Sequence, residues 1–304
     1  MNGRLPNQWA QNTSQLSFGS SNFNPGRVSD QAAILVKRIT LSPADREDAI
    51  HQLSCYRESI PSLGLLIWES PAAVLALLEE IFGVIPQLAS VSNCPQTAPT
   101  SFSPKVTNRV CNSLALLQSI AINPDSRDAF LRANIPMYLV PFLHTTNQSR
   151  ECEHFKLAAL GVIGNIARSE SPNCIEYLIN NEFIPLCLRV LKFGQDINKI
   201  IAAFILQKIL TDHRGKVLIC GSNEKISAVV NVLNPIVKNL SSQFNPRLSR
   251  NIVIAYEALL SYSDAISTQV LENCSKSLNV GDVSAECDEP FRLLLKKLLP
   301  NIAL

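Results

Sequence analysis

The chain repeats itself. The stretch RVCNSLALLQSIAINPDSRDAFLRANIPMYLVPFLHT, from Arg109, lines up with KLAALGVIGNIARSESPNCIEYLINNEFIPLCLRVLKF, from Lys156, at an offset of 47 residues. Each copy reads as a long apolar helix, a polar turn, a short helix, an Ile-Pro break and another helix. A third copy, KIIAAFILQKILTDHRGKVLI, starts at Lys199 at an offset of 43, and a fourth, RNIVIAYEALLSYSDAISTQVL, at Arg250 at an offset of 51. A unit of this size cannot close a core of its own, so its apolar face must be buried against the next copy.

Repeats of this length with two or three helices each are the signature of armadillo or HEAT arrays. The expected fold is all-α, an armadillo right-handed superhelix of about six helical repeats with a concave groove lined by one helix per repeat. Helical period supports it: Leu114, Leu117, Ile120 and Ala121 fall on one helical face, and alternating strand patterns are nearly absent. Ser42-Pro43 with Asp45, Asn123-Pro124-Asp125 and Ser171-Pro172-Asn173 read as helix starts, and the prolines of Ile135-Pro136 and Ile184-Pro185 suit a first turn. Gly161 and Gly164 lie inside a helical stretch, where each costs up to about 1 kcal/mol against Ala, so a close helix-to-helix approach is expected there. Residues 1–28, rich in Asn, Ser, Gly and Gln, read as a disordered tail; 29–304 read as the repeat domain, with a long loop at about 91–105.

Few chemical functions fit this composition. With 46% hydrophobic residues the chain can bury a large core, and 27 Lys+Arg against 25 Asp+Glu leave only +2, so attraction to nucleic acid needs a local patch. Nine cysteines without a Cys-x-x-Cys pair argue against a disulfide framework and a zinc site, and read as reduced thiols. The N-terminus lacks the apolar core of a signal peptide, and no later run is read as reaching the roughly 18 apolar residues of a membrane span. The Asn-x-Ser/Thr triplets at Asn12, Asn147, Asn239 and Asn273 therefore read as chance. His51, His144, His154 and His213 share no ligand spacing, Cys152 and His154 point to different helix faces, and no acid, His and nucleophile group forms a motif. No enzyme, cofactor or metal is expected. Trp68, Phe193 and Phe204 read as core.

Stacking gives the polar residues their interest. Arg109, Lys156, Lys199 and Arg250 occupy equivalent places near the start of the long helix, with Asn108 and Arg247 close by. They read either as solvated residues at helix boundaries or as a basic groove for phosphates or acidic peptides.

The stretches Asn108-Arg109-Val110-Cys111-Asn112 continuing as SLALLQ, then IPMYLVPFLHT, LAALGVIGNI, FIPLCLRVLKFG and AAFILQKIL, closely resemble the Rcd-one family, named for "required for cell differentiation". The similarity runs from about residue 30 to 275 and more weakly to FRLLLKKLL. This resemblance implies an armadillo-repeat subunit of the Ccr-Not deadenylase complex that docks on the Not-one scaffold. It further implies binding of repressor or silencing-protein peptides through inserted tryptophans, a basic groove linked to nucleic acid or to homodimer formation, and a place in the cytoplasm, including processing bodies, and the nucleus. Asn108 and Arg109 match the family's groove pair, and Arg247-Leu248 its Arg-Leu segment. The peptide surface, drawn from Leu75, Ile200, Ile201, Phe204, Asn223 and Lys225, departs more. Leu75 replaces a small alanine, and Trp68-Glu69-Ser70-Pro71-Ala72 stands where the family reads Trp-His-Ser-Phe-Gly. Cys220-Gly221-Ser222-Asn223-Glu224-Lys225-Ile226 stands for Cys-x-x-Tyr-Glu-Arg-Phe, so the aromatic and the arginine that cradle a tryptophan become Asn223 and Lys225. Ile200 and Ile201 are expected to keep an apolar surface nearby. The pattern is that of a divergent paralogue.

Overall fold

Cap residues set where the helices begin. The computed structural model describes residues 25–88, 102–169, 171–277 and 287–298, and within them every regular element is helical. Helices α1 (Pro25–Ile39) and α2 (Pro43–Tyr56) are followed by three helices per unit. These are α3 (Leu63–Trp68), α4 (Pro71–Phe82) and α5 (Pro104–Ile122), then α6 (Pro124–Arg132), α7 (Val140–His144) and α8 (Arg150–Arg168). Next come α9 (Pro172–Asn180), α10 (Phe183–Phe193) and α11 (Asp196–Thr211), then α12 (His213–Cys220), α13 (Asn223–Ser242) and α14 (Pro246–Leu260). Helices α15 (Asp264–Ser277) and α16 (Glu289–Leu298) complete the order.

Ser42 Oγ accepts from the Asp45 amide at 3.2 Å, and Asn123 Oδ1 accepts from the Asp125 and Ser126 amides at 2.9 and 3.3 Å, satisfying donors that the first helical turn leaves unpaired. Ser171 makes no such bond, although Pro172 still opens α9. Ile-Pro breaks follow a left-handed residue in both copies: Asn134 has φ 56° before a 3-10 turn at Ile135–Leu139, and Glu182 has φ 58° before α10. Residues 25–28, read from the sequence as tail, form the start of α1, and Pro104 and Lys105, read as loop, form the first turn of α5. Phe102, also read as loop, is buried edge-on against Phe155 at 5.1 Å, while residues 1–24 and 91–101 lie outside the described residues.

The long helices pack on one another in succession: α2 on α5, α5 on α8, α8 on α11, α11 on α14 and α14 on α16. Six helices thus form one continuous ladder, and the other helices of each unit, the 20-residue α13 among them, pack beside it. Neighbours on both sides explain why ten of the 16 residues of α11 are buried: a helix apolar almost all round belongs inside a stack. Each leucine or isoleucine so buried contributes about 1.5–3 kcal/mol, which no isolated unit collects. The segment Pro71–Leu88 corrects one reading from sequence. By length and composition it qualifies as a membrane span, yet the chain turns at Gly83 and Val84, 44% of the window is buried, and α4 packs on α1, α3 and α5 as a core helix.

Glycine is required where backbones nearly touch. A Cβ on Gly64, in α3, would lie 2.1 Å from the Ser119 backbone carbonyl oxygen of α5, whereas one on Gly161 would meet the end of the Gln118 side chain, 2.4 Å from its Nε2. A Cβ on Gly164 would lie 3.3 Å from the Ile201 side chain, so the two glycines of LAALGVIGNI sit at the approach of α8 to α5 and to α11. Replacing Gly64 by Ala should lower unfolding stability by about 2–4 kcal/mol, because the obstacle is backbone that cannot rotate away. Gly83→Ala, at the exposed C-cap of α4, where the backbone is right-handed and a Cβ would stand 3.4 Å from its nearest neighbour, should change stability by no more than about 1 kcal/mol, in the stabilising direction. Denaturant titration of the two variants checks the contrast.

Candidate functional site

Polar side chains tie the ladder together from within. Gln118 of α5 donates to the Ala158 carbonyl of α8 at 3.0 Å, Asn198 of α11 donates to Glu153 of α8 at 2.6 Å, and Asn251 of α14 donates to the Ile200 carbonyl of α11 at 3.1 Å. These bonds fix the register between successive helices, since a buried amide without its acceptor would cost about 1–3 kcal/mol.

The basic stripe expected along this ladder divides into two halves. Arg109 is not a free cation: its Nε lies 2.5 Å from Glu80 and its Nη1 3.7 Å from Glu47, and Lys105 reaches Glu47 at 3.1 Å. Arg46 joins the same group through Glu79 at 2.8 Å and Glu80 at 3.3 Å. Lys156 corrects the sequence reading outright. Its side chain is 5% exposed and donates to Glu153 at 2.6 Å, while the other Glu153 oxygen accepts from Asn198. A charge carried into the stack needs a countercharge, because desolvation of a lone ion costs several kcal/mol. Asn108 is exposed beside Arg109. Lys199 is half-buried and Arg247 and Arg250 are exposed, with no acidic partner among the described residues. Unpaired positive charge is therefore confined to the C-terminal half of the stripe.

The expected peptide surface does not come together as one pocket. Leu75 is 60% exposed on α4, which packs on α1, α3 and α5, whereas Asn223 and Lys225 are exposed at the start of α13, which packs on α10, α12, α14 and α15. Ile200 and Ile201 are 9% and 5% exposed and belong to the core, because α11 is covered by the ladder on two sides. Phe204 is half-buried with the Arg168 guanidinium 5.8 Å and the Lys208 ammonium 6.0 Å from its ring centre. Phe193, read as core, is 57% exposed at the last residue of α10 and lies under Lys192 at 5.1 Å. Trp68 is half-buried, edge-on to Phe130 at 6.1 Å.

Desolvation holds several thiols and two histidines toward their neutral forms. Burial drives the Cys111 and Cys187 thiols up to about 12, and it also raises those of Cys152 and Cys174. His154 is held below its ordinary value by burial and then by Arg150, and His144 by burial and then by Arg189. Among the described residues no three His, Cys, Asp or Glu side chains gather in a metal-holding group. The two further features that sequence reading missed are Glu153 as the countercharge and Asn198 as its second partner. Their offset of 45 residues, close to the repeat length, was the available signal.

Comparison with known proteins places the chain. Residues 35–302 match the family model described as "Cell differentiation family, Rcd1-like". The chain is 41% identical over 238 residues to cell differentiation protein rcd1 of Schizosaccharomyces pombe, covering 78% of this chain and 79% of that protein. It is 36% identical over 244 residues to protein CAF40 of Saccharomyces cerevisiae, covering 77% of this chain and 63% of CAF40, so it spans less than two thirds of that relative's length. Among solved structures the fold is similar to an engineered protein, with a TM-score of 0.56 and 16% identity over 89% of this chain and 97% of the other. It is also similar to computationally designed armadillo repeat proteins for modular peptide recognition, with a TM-score of 0.53 and 16% identity over 90% of this chain and 100% of the other. At that identity these two show the fold alone, which for the second is that of an armadillo repeat protein.

Thiol labelling of the native protein reads the interior directly. The thiolate is the reactive form, so with Cys94 replaced by Ser the exposed Cys55 should react promptly at pH 8. Cys111 and Cys187, raised to about 12, should react only on unfolding; mass spectrometry of the labelled peptides makes the assignment.

Proposed function

This chain belongs to the Rcd1-like cell differentiation family, and from that membership we propose that it is a non-catalytic adaptor subunit of the Ccr-Not deadenylase complex. In this reading it docks on the Not-one scaffold and binds peptides of repressor or silencing proteins, promoting deadenylation, decay and translational repression of messenger RNA in the cytoplasm and nucleus. The observation that carries the reading is the family match along residues 35–302, which embraces the whole inner ladder rather than one motif. A stack of this kind offers long preformed surfaces and needs no ordering on binding, which favours recognition of extended or helical segments.

The site residues refine it. Asn223 and Lys225 are exposed at the start of α13, so their departure from the family's Tyr and Arg alters what the surface holds without touching the core. An aromatic wall and a guanidinium are the groups that hold an inserted tryptophan best. A second reading, binding of nucleic acid, is favoured by Arg247 and Arg250, which are exposed and free of acidic partners among the described residues. With Arg109 and Lys156 neutralised, it rests on Lys199, Arg247 and Arg250 rather than on the whole stripe.

Affinity purification of the tagged chain should recover the Not-one scaffold; consistent failure, with the chain folded, rejects the adaptor reading. Asn223→Tyr with Lys225→Arg should tighten binding of tryptophan-containing repressor peptides by about tenfold, the worth of one aromatic contact, measured by calorimetry. Unchanged affinity would mean that these two positions are not where tryptophan is read. For oligonucleotides, the slope of log affinity against log salt should not exceed about 3, and Arg247→Glu with Arg250→Glu should abolish binding.

A further inference from the structure

A cavity of about 220 Å³ lies where α10 ends against the connection between α7 and α8. Leu143, Thr145, Lys156, Arg189, Val190 and Phe193 form most of its wall, and no Asp or Glu is among its lining residues. Two cations in it are under-used. Lys156 Nζ, inside the fold, donates to Glu153 and to no other group among the described residues, and Arg189 donates one bond, from Nη2 to the His144 carbonyl at 3.1 Å. An ammonium carries three N–H groups and a guanidinium five, so each cation keeps donors without a partner among the described residues, and the polar groups that share the lining, Thr145, Thr146 and Gln148, are neutral.

Charge counting selects the ligand. Counted over the lining and the acid paired to it, Lys156 and Arg189 against Glu153 leave one positive charge, which a single carboxylate balances; the Lys192 ammonium, over the Phe193 ring, is not part of the lining. Leu143 and Val190 line the same cavity, so the carboxylate should arrive on an aliphatic stem. Phe193, 57% exposed, offers an apolar surface beside it for a neighbouring residue. We propose that this cavity receives the carboxylate of an acidic side chain, in a partner peptide whose adjacent residue is apolar. The proposal rests on the adaptor reading for the existence of such a partner, and it uses residues distinct from Asn223 and Lys225.

The test uses the full chain with three short probes: N-acetyl-Leu-Glu-Leu-amide, its Gln counterpart, and N-acetyl-Leu-Gln-Leu with a free C-terminal carboxylate. Methyl NMR follows Leu143, Thr145 and Val190. The Glu peptide should give saturable shifts at these three residues, and the other two probes should bind about tenfold more weakly, as loss of one charge-assisted contact implies. Arg189→Leu should weaken the Glu peptide by about tenfold too. If that variant does not fold, Phe193→Ser, at an exposed position, should still weaken it several-fold. Equal binding of the Glu and Gln peptides, preference for the free C-terminus, or shifts away from these methyls would overturn the proposal. Saturable binding of the Glu peptide by a chain that recovers no Not-one scaffold would instead reject the adaptor reading and leave the cavity's assignment standing.

Discussion

Everything in this solenoid depends on the side-by-side packing of six helices, α2, α5, α8, α11, α14 and α16, none of which finishes burying its apolar surface within its own unit. That requirement shows in the small residue at the contact of α8 with α5, where Gly161 leaves room for the Gln118 side chain. It also dictates the polar chemistry. A side chain caught between two inner helices is out of water, so Gln118, Asn198 and Asn251 each donate across the gap to the next helix.

The same burial sorts the charges. Where a cation falls inside the stack it carries its acid with it, as Lys156 does with Glu153, and where several carboxylates line the first units Arg46, Lys105 and Arg109 are matched to them. Ion pairs of this kind set register and contribute little net stability when exposed, about 0–1 kcal/mol each. The stripe's unpaired cations, Lys199, Arg247 and Arg250, lie toward its C-terminal end, and the donors not fully used belong to residues lining the cavity beside α10. Recognition surfaces on this molecule are thus what the packing rules leave over: exposed helix starts, an end-of-helix phenylalanine and a cation-lined recess.

Much of the architecture was legible because it is periodic. The offset near 47 residues and the Ser-Pro and Asn-Pro helix starts express local rules that do not depend on distant partners, and the paired glycines of α8 stood out because they break the local helix preference that a close neighbour offsets. The site was less legible. Ile200 and Ile201 carry an apolar surface in sequence, and only the presence of helices on both sides of α11 turns them into core. Arg109 and Lys156 look like free charges in a linear pattern because their acids come from elsewhere, from α2 and α4 in one case and from three residues back on the same helix in the other. Phe193 has the composition of a core residue, but it is the last residue of its helix, beyond the turn that packs.

Hydrogen exchange of the intact chain, read by mass spectrometry in native buffer, tests the dependence on the inner stack most directly. The amides of α5, α8, α11 and α14 should be the slowest in the molecule and should exchange at similar rates, with the short outer helices α3 and α12 opening sooner. Inner helices that exchange at widely different rates, or outer helices protected as strongly as they are, would contradict a fold held together by that ladder.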